Sequence, residues 1–289
     1  MIKTILVPLP GDGADEAVLD LGYLVAQQFG AHIDALHARR NPVEEAVRMT
    51  ASDGIITKQL WDAVEGDIEI RRDRAKDCFS RFCKSRALPT PDAPRKATSP
   101  SARWIEVEGD FASEIRTRGR FHEVIVTSRG HNEGGFTPGE LGDMLIRSGR
   151  PFLLTSRKAK LRPLFGTVAI AWKDSAEAAH MMTAAMPFIK AAEKVVVLAA
   201  SEGSDNSVDL NATQRLANAL RWHGIEADVH CLTCRDSDVG EALVGAAEKA
   251  GAGLLALGGY GHSRAREFVL GGVTRYMLET ADFPTLIVH

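Results

Sequence analysis

The chain has 289 residues, 45% of them apolar and 25% charged, with a formal net charge of -3 and a pI near 6.3. That length exceeds what one hydrophobic core usually organises, so two domains are expected. The charge balance lacks the clustered excess of Lys and Arg that nucleic acid or an anionic membrane requires, and no stretch approaches the ~20 apolar residues of a membrane span.

The opening MIKTILVPLPGDGADE has no charged-then-apolar layout of a secretory signal, which points to a cytoplasmic protein. Four cysteines are too few for a disulfide framework and are expected as free thiols. Thr4-ILVPLP reads as a short apolar strand, Asp15 to Phe29 as an amphipathic helix, and Ala31-HIDALHA as a second strand. The strands lack strict polar alternation, as parallel strands buried on both faces do. From Ile55 to Arg86 the charged residues alternate with Leu60, Trp61, Val64, Ile68, Ala75, Phe79 and Phe82 at helical spacing, which predicts a long amphipathic helix. Cys78 and Cys83, five apart on it, read as packing residues. Proline-rich sequence from Pro89 ends it before strand Trp104-IEV, a helix near Asp110 to Arg118 and strand Glu123-VIVTS.

After a basic linker, Arg157-KAKLRPLFG, the pattern begins again. Thr167-VAIAWK and Lys194-VVVLAA repeat the first two strands at a constant offset of 163, flanking a helix from Ser175 to Ala192. Ala227-DVHCL, a helix near Val239 to Ala250, and Gly253-LLALG follow. The two halves also end alike: Met144-LIRSGRPFLLTS matches Met277-LETADFPTLIVH at an offset of 133, with Pro151 on Pro284. The smaller second offset leaves about thirty extra residues in the first half, between Asn41 and Ala102. Strands alternating with helices in this order predict a tandem α/β protein, each half a doubly wound parallel five-stranded sandwich, with domains at 1–157 and 163–289.

Glycines mark a candidate ligand site in the second half. Gly258, Gly259 and Gly261 follow a buried strand, and Gly271-Gly272 directly precedes the helix Val273-TRYMLETA. Both turns lie at the carboxyl ends of strands, where open α/β sheets place ligands. Glycine lets the backbone approach an anion closely, and helix N-termini present free N–H groups to it. Gly258-x-x-Gly261, nine residues, then Gly271 resembles the Gly-2x-Gly-9x-Gly-(Ser/Thr) signature of the universal stress proteins, and the strand order fits two such domains in tandem. The resemblance implies an adenine nucleotide alpha hydrolase-like fold and ATP or a related adenine nucleotide, with its associated Mg, as the ligand of the second domain. It places the phosphates at Gly258, Tyr260, Gly261, Gly271, Gly272, Val273 and Thr274, with His262 beside them. The adenosine edge falls on Trp172, Lys173 and Asp174.

The second half departs from that pattern at two points. Gly272 stands where the family has Ser or Thr, with Thr274 as the nearest hydroxyl, and Lys173 stands where it has Asp, with Asp174 next. Arg264 and Arg266 add positive charge to the loop. In the first half Thr127 replaces the first glycine, Gly130 keeps the second, and Pro138-Gly139 falls where Gly271-Gly272 lies, so this copy is not expected to hold ATP in the family manner.

Cys231-LT-Cys234 has zinc-site spacing but runs along a strand, whose alternation separates the thiols. No HExxH, GxSxG or GxxxxGK[ST] motif is present, and no residue is clearly placed to activate water. The role that the resemblance implies is regulatory binding in a stress response. The competing readings are a scaffold that has lost nucleotide binding and a slow ATPase. Single-domain members of the family pair through their last strands, so Pro151-FLLTS and Pro284-TLIVH are expected to pair within the chain in a pseudo-twofold arrangement. Further assembly into a homodimer is left open.

Overall fold

The structure is a computed structural model and describes residues 1–49, 57–94, 96, 98–130, 135–159, 162–201, 207–259 and 271–289. The chain forms two compact units, Ile2–Phe136 and Thr137–His289 with Met1.

In the first unit, strands β1 (Thr4–Pro8), β2 (His32–Arg39), β3 (Ser101–Glu108) and β4 (Val124–Ser128) are parallel in the order β3-β2-β1-β4. β1 is central, and Ile5, Leu6 and Val7 are fully buried, as a strand covered on both faces demands. Helix α1 (Asp15–Phe29) starts with two acidic residues against its dipole and ends at Gly30, whose φ of 59° is a left-handed cap that glycine adopts without strain.

The stretch that carries the first half's surplus contains two helices, α2 (Pro42–Met49) and α3 (Lys58–Ser85), where the second half has one. The long helix expected over Ile55 to Arg86 is there, although Ile55 and Ile56 lie outside the described residues. Thr57 accepts a hydrogen bond from the Leu60 amide at its start. Val64, Ile68, Ala75, Phe79 and Phe82 form its buried stripe. Its last turn is fastened to α1, where the Arg86 guanidinium lies 4.4 Å from the Phe82 ring centre and 2.5 Å from Asp20 Oδ1. Helix α4 (Phe111–Gly119) is capped by Asp110, whose carboxylate accepts from the Ser113 amide at 2.8 Å.

In the second unit, β6 (Thr167–Ala171), β7 (Lys194–Ser201), β8 (Ala227–Thr233), β9 (Leu254–Gly258) and β10 (Thr285–Val288) are parallel in the order β10-β9-β6-β7-β8. Helices α6 (Ala176–Ala191), α7 (Ser207–Arg221), α8 (Val239–Lys249) and α9 (Gly272–Glu279) connect them, a short 3-10 turn preceding α8. This unit also contains α5 (Pro138–Ser148) and β5 (Phe152–Thr155), the last helix and strand of the first sequence copy. β5 pairs antiparallel with β10, through Thr285 with Leu154, Leu286 with Leu153 and Ile287 with Phe152. The expected pairing of the two final strands is thus present. No described helix is long and apolar enough to cross a membrane.

Candidate functional site

In the second half, β6 and β9 are neighbours, so the turns that leave their carboxyl ends open on the same edge of the sheet. Trp172 follows β6 with its backbone amide fastened to the Leu198 carbonyl at 2.8 Å. Its indole Nε1 is buried and has no hydrogen-bond partner among the described residues. A buried N–H without an acceptor is costly, and such an orphan at a strand end is a place where a ligand oxygen or nitrogen is accommodated. Lys173 and Asp174 are exposed, and Asp174 pairs with Arg215 of α7 at 2.9 Å. With both side chains about two-thirds exposed this pair is weak, and it does not anchor the carboxylate against competition.

The glycines divide into two kinds. A Cβ on Gly258 would lie 2.7 Å from the Glu177 backbone, and one on Gly259 would lie 2.8 Å from Ile287, so both are needed to pack β9 against α6 and β10. Among the described residues, Gly271 and Gly272 have nothing within 4 Å of that position. They begin α9, whose N-cap, Gly271, has no side chain with which to cap the first turn, and a helix N-terminus favours an anion. Thr274 is turned inward, 4% exposed and near Gly259, while Val273 is half-buried. Tyr260, Gly261, His262, Arg264 and Arg266 lie outside the described residues.

The equivalent helix of the first copy, α5, is built differently. Thr137 caps it by accepting from the Glu140 amide at 3.2 Å, and the Glu140 carboxylate accepts from the Thr137 amide at 2.8 Å. This capping box, with Pro138 in the first turn, satisfies from within the chain the amides that an anion would otherwise hold. At the offset of 133, Glu140 falls on Val273.

The first unit's own loops are closed as well. A Cβ on Gly11, after β1, would overlap the Arg71 carbonyl of α3, and one on Gly130 would overlap the Phe136 carbonyl. One on Gly135 would lie 2.7 Å from Asp12 Oδ2. Asp15, 4% exposed, accepts from the Gly11 amide at 3.3 Å, and burial together with the neighbouring Asp12 charge pushes its pKa up to about 7.

Two buried polar groups in this unit had no signal in sequence. His37 at the end of β2 is hydrogen-bonded through Nδ1 to the Leu9 carbonyl at 2.8 Å, stacked on Trp104 and edge-on to Phe111. Asp34 receives His122 Nε2 at 3.0 Å, His32 Nε2 at 3.2 Å and Arg103 Nε at 3.0 Å. Burial opposes its ionisation, but these donors more than offset it and hold the carboxyl well below its usual range.

Cys231 lies in β8 and Cys234 one residue past its end, both half-buried and neither in a disulfide. Among the described residues no three His, Cys, Asp or Glu side chains are grouped to hold a metal. Cys78 and Cys83 are free, with burial pushing both thiols up to about 11.

The fold is that of a two-part, doubly wound α/β protein in which, among the described residues, the N-terminus of α9 in the second half has no side-chain cap. Residues 168–289 match the model of the universal stress protein family. Solved structures similar to the whole chain include a universal stress protein from Archaeoglobus fulgidus, at 16% identity and a TM-score of 0.64, covering 99% of this chain and 95% of that one. A putative universal stress protein from Pseudomonas aeruginosa is similar at 14% identity and a TM-score of 0.58, covering 99% and 93%. The cytoplasmic domain of a prokaryotic cation chloride cotransporter shares the fold at 11% identity and a TM-score of 0.53, covering 99% and 95%. No curated protein matches the chain. The match to that family's model is confined to the second half, and the fold of the whole chain is similar to that of solved universal stress proteins, as two such α/β units in tandem would be.

Proposed function

We propose that the protein is a cytoplasmic stress-response protein whose second domain, 163–289, binds ATP or a related adenine nucleotide as a regulatory ligand. The observation that carries this reading is the contrast between equivalent helices: among the described residues α9 begins at Gly271-Gly272 with no side-chain cap and nothing within 4 Å of either Cβ position, whereas α5 is closed by its own Glu140. The phosphates fit at the N-terminus of α9, where backbone N–H groups and the helix dipole favour negative charge without the hydroxyl that Gly272 lacks. The adenosine end fits the Trp172 to Asp174 turn, where the indole Nε1 needs an acceptor and Asp174 can exchange Arg215 for a ribose hydroxyl. The ligand supplies the signal, and the chain's part is to hold it. No group is assigned to activate water.

Calorimetry on nucleotide-stripped protein tests this. Saturable binding of ATP, ADP or AMP at one site per chain is expected. No heat at millimolar nucleotide would instead support the reading of a scaffold without a nucleotide.

A further inference from the structure

Above the carboxyl ends of β1, β2 and β3, helices α2 and α3 of the first unit enclose a cleft. Its outer part has a volume of about 360 Å³, within the range of small-molecule sites, and Arg39, Arg40 and Ile68 are shared with a narrower inner part that ends at His37. The walls carry six carboxylates (Glu44, Glu45, Glu65, Asp67, Glu69 and Glu108) against three guanidinium groups. Each guanidinium is already held by carboxylate. Arg39 pairs with Glu108 and with Glu69 at 3.4 Å, Arg40 with both oxygens of Glu45 at 3.1 and 3.2 Å, and Arg71 with Asp67 at 2.6 Å. Glu44 and Glu65 have no ion pair among the described residues.

The inner end carries an independent sign of a ligand. His37 is 3% exposed, and a carbonyl can only accept, so the proton on Nδ1 is fixed by the Leu9 oxygen. Burial holds its pKa below the usual value, with Glu106 raising it and Arg72 and Arg39 lowering it. The neutral ring then keeps Nε2 as an acceptor, and Nε2 has no hydrogen-bond partner among the described residues.

The unengaged charged and ring groups of the walls are therefore all acceptors: one imidazole nitrogen inside and two carboxylates outside. A complementary occupant is a slender cation rich in N–H donors, whose charge the excess carboxylate compensates. We propose that this cleft binds a small linear di- or polyamine, with one amine donating to His37 Nε2 and another held at the Glu44 and Glu65 end. It is a separate site from the nucleotide site of the second half, and either reading stands if the other fails.

The test is calorimetry of the full chain with spermidine at low ionic strength, before and after the double substitution Glu44→Gln and Glu65→Gln. One saturable site is expected, weakened at least tenfold by the double variant. A control with the same charge change on the second unit, Glu193→Gln with Glu226→Gln, should bind as the wild type does. The side-chain Nε2 resonance of His37 should shift on titration. Absence of a saturable site, equal weakening by both double variants, or binding without a shift at Nε2 would each overturn the proposal. Near-UV circular dichroism checks that the substituted chains fold, which the exposure of all four glutamates favours.

Discussion

Leu153 and Leu286 occupy the same place in the two copies, 133 residues apart, and lie directly opposite each other where β5 and β10 pair. Their flanking partners are equivalents crossed over, Phe152 with Ile287 and Leu154 with Thr285, so the pairing has a local twofold centred on two identical side chains. Both leucines are fully buried. Truncating Leu286 to Ala leaves a cavity on that axis and should cost about 2–5 kcal/mol, read from urea unfolding. A loss below about 1 kcal/mol would mean that the strand pair is not packed as described.

Val273→Glu places a carboxylate in the first turn of α9, at the sequence equivalent of Glu140. ATP binding should weaken at least tenfold, while the melting temperature should hold or rise slightly, since an acid in the first turn of a helix contributes about 0.3–1 kcal/mol. Undiminished ATP binding would remove the N-terminus of α9 from the site.

Asp15 is protonated in the fold up to about pH 7, whereas in the unfolded chain it ionises near pH 4. Between those values the folded state binds the extra proton, so this group's contribution to stability declines as pH rises from about 4 to about 7. Asp15→Asn keeps an acceptor for the Gly11 amide and removes the charge. It should stabilise the protein at pH 8 by roughly 2–4 kcal/mol and have little effect at pH 4. Equal stability of variant and wild type at pH 8 would contradict the burial of a carboxylate there.

Asp34 has the opposite sign. Its folded pKa is depressed, so its contribution is present above about pH 4 and fades as pH falls below it. Asp34→Ala leaves His32, His122 and Arg103 without their shared acceptor and should cost about 3–5 kcal/mol near neutral pH. The check is the difference in unfolding free energy at pH 7 and at pH 3, which should narrow on acidification.

The strands and the repeat were legible because apolar runs and constant offsets survive in one dimension. Helix α3 was legible for the same reason, since Val64 to Phe82 keep helical period over many turns. Helices α2 and α7 were not anticipated. The first is only eight residues long, too short for its apolar face to recur, and the second sets its apolar residues among Ser, Asp, Asn and Thr, which favour caps and turns over helix interiors. In the site, the glycines were visible as a spacing, but their division into packing glycines, Gly258 and Gly259, and open ones, Gly271 and Gly272, depends on what stands opposite each. Asp34 and His37 read as ordinary members of an apolar strand. The Asp34 partners Arg103 and His122 are 69 and 88 residues away, and no local pattern announces them.

The capping box at Thr137 and Glu140 has a consequence for how the whole chain responds to its surroundings. A helix that carries its own counter-anion has nothing to gain from phosphate, so titrating nucleotide should shift the equilibrium of one helix terminus and leave its twin untouched. On the proposed reading, a sequence that folded twice to nearly the same design keeps one half as a fixed reference and leaves the other to answer.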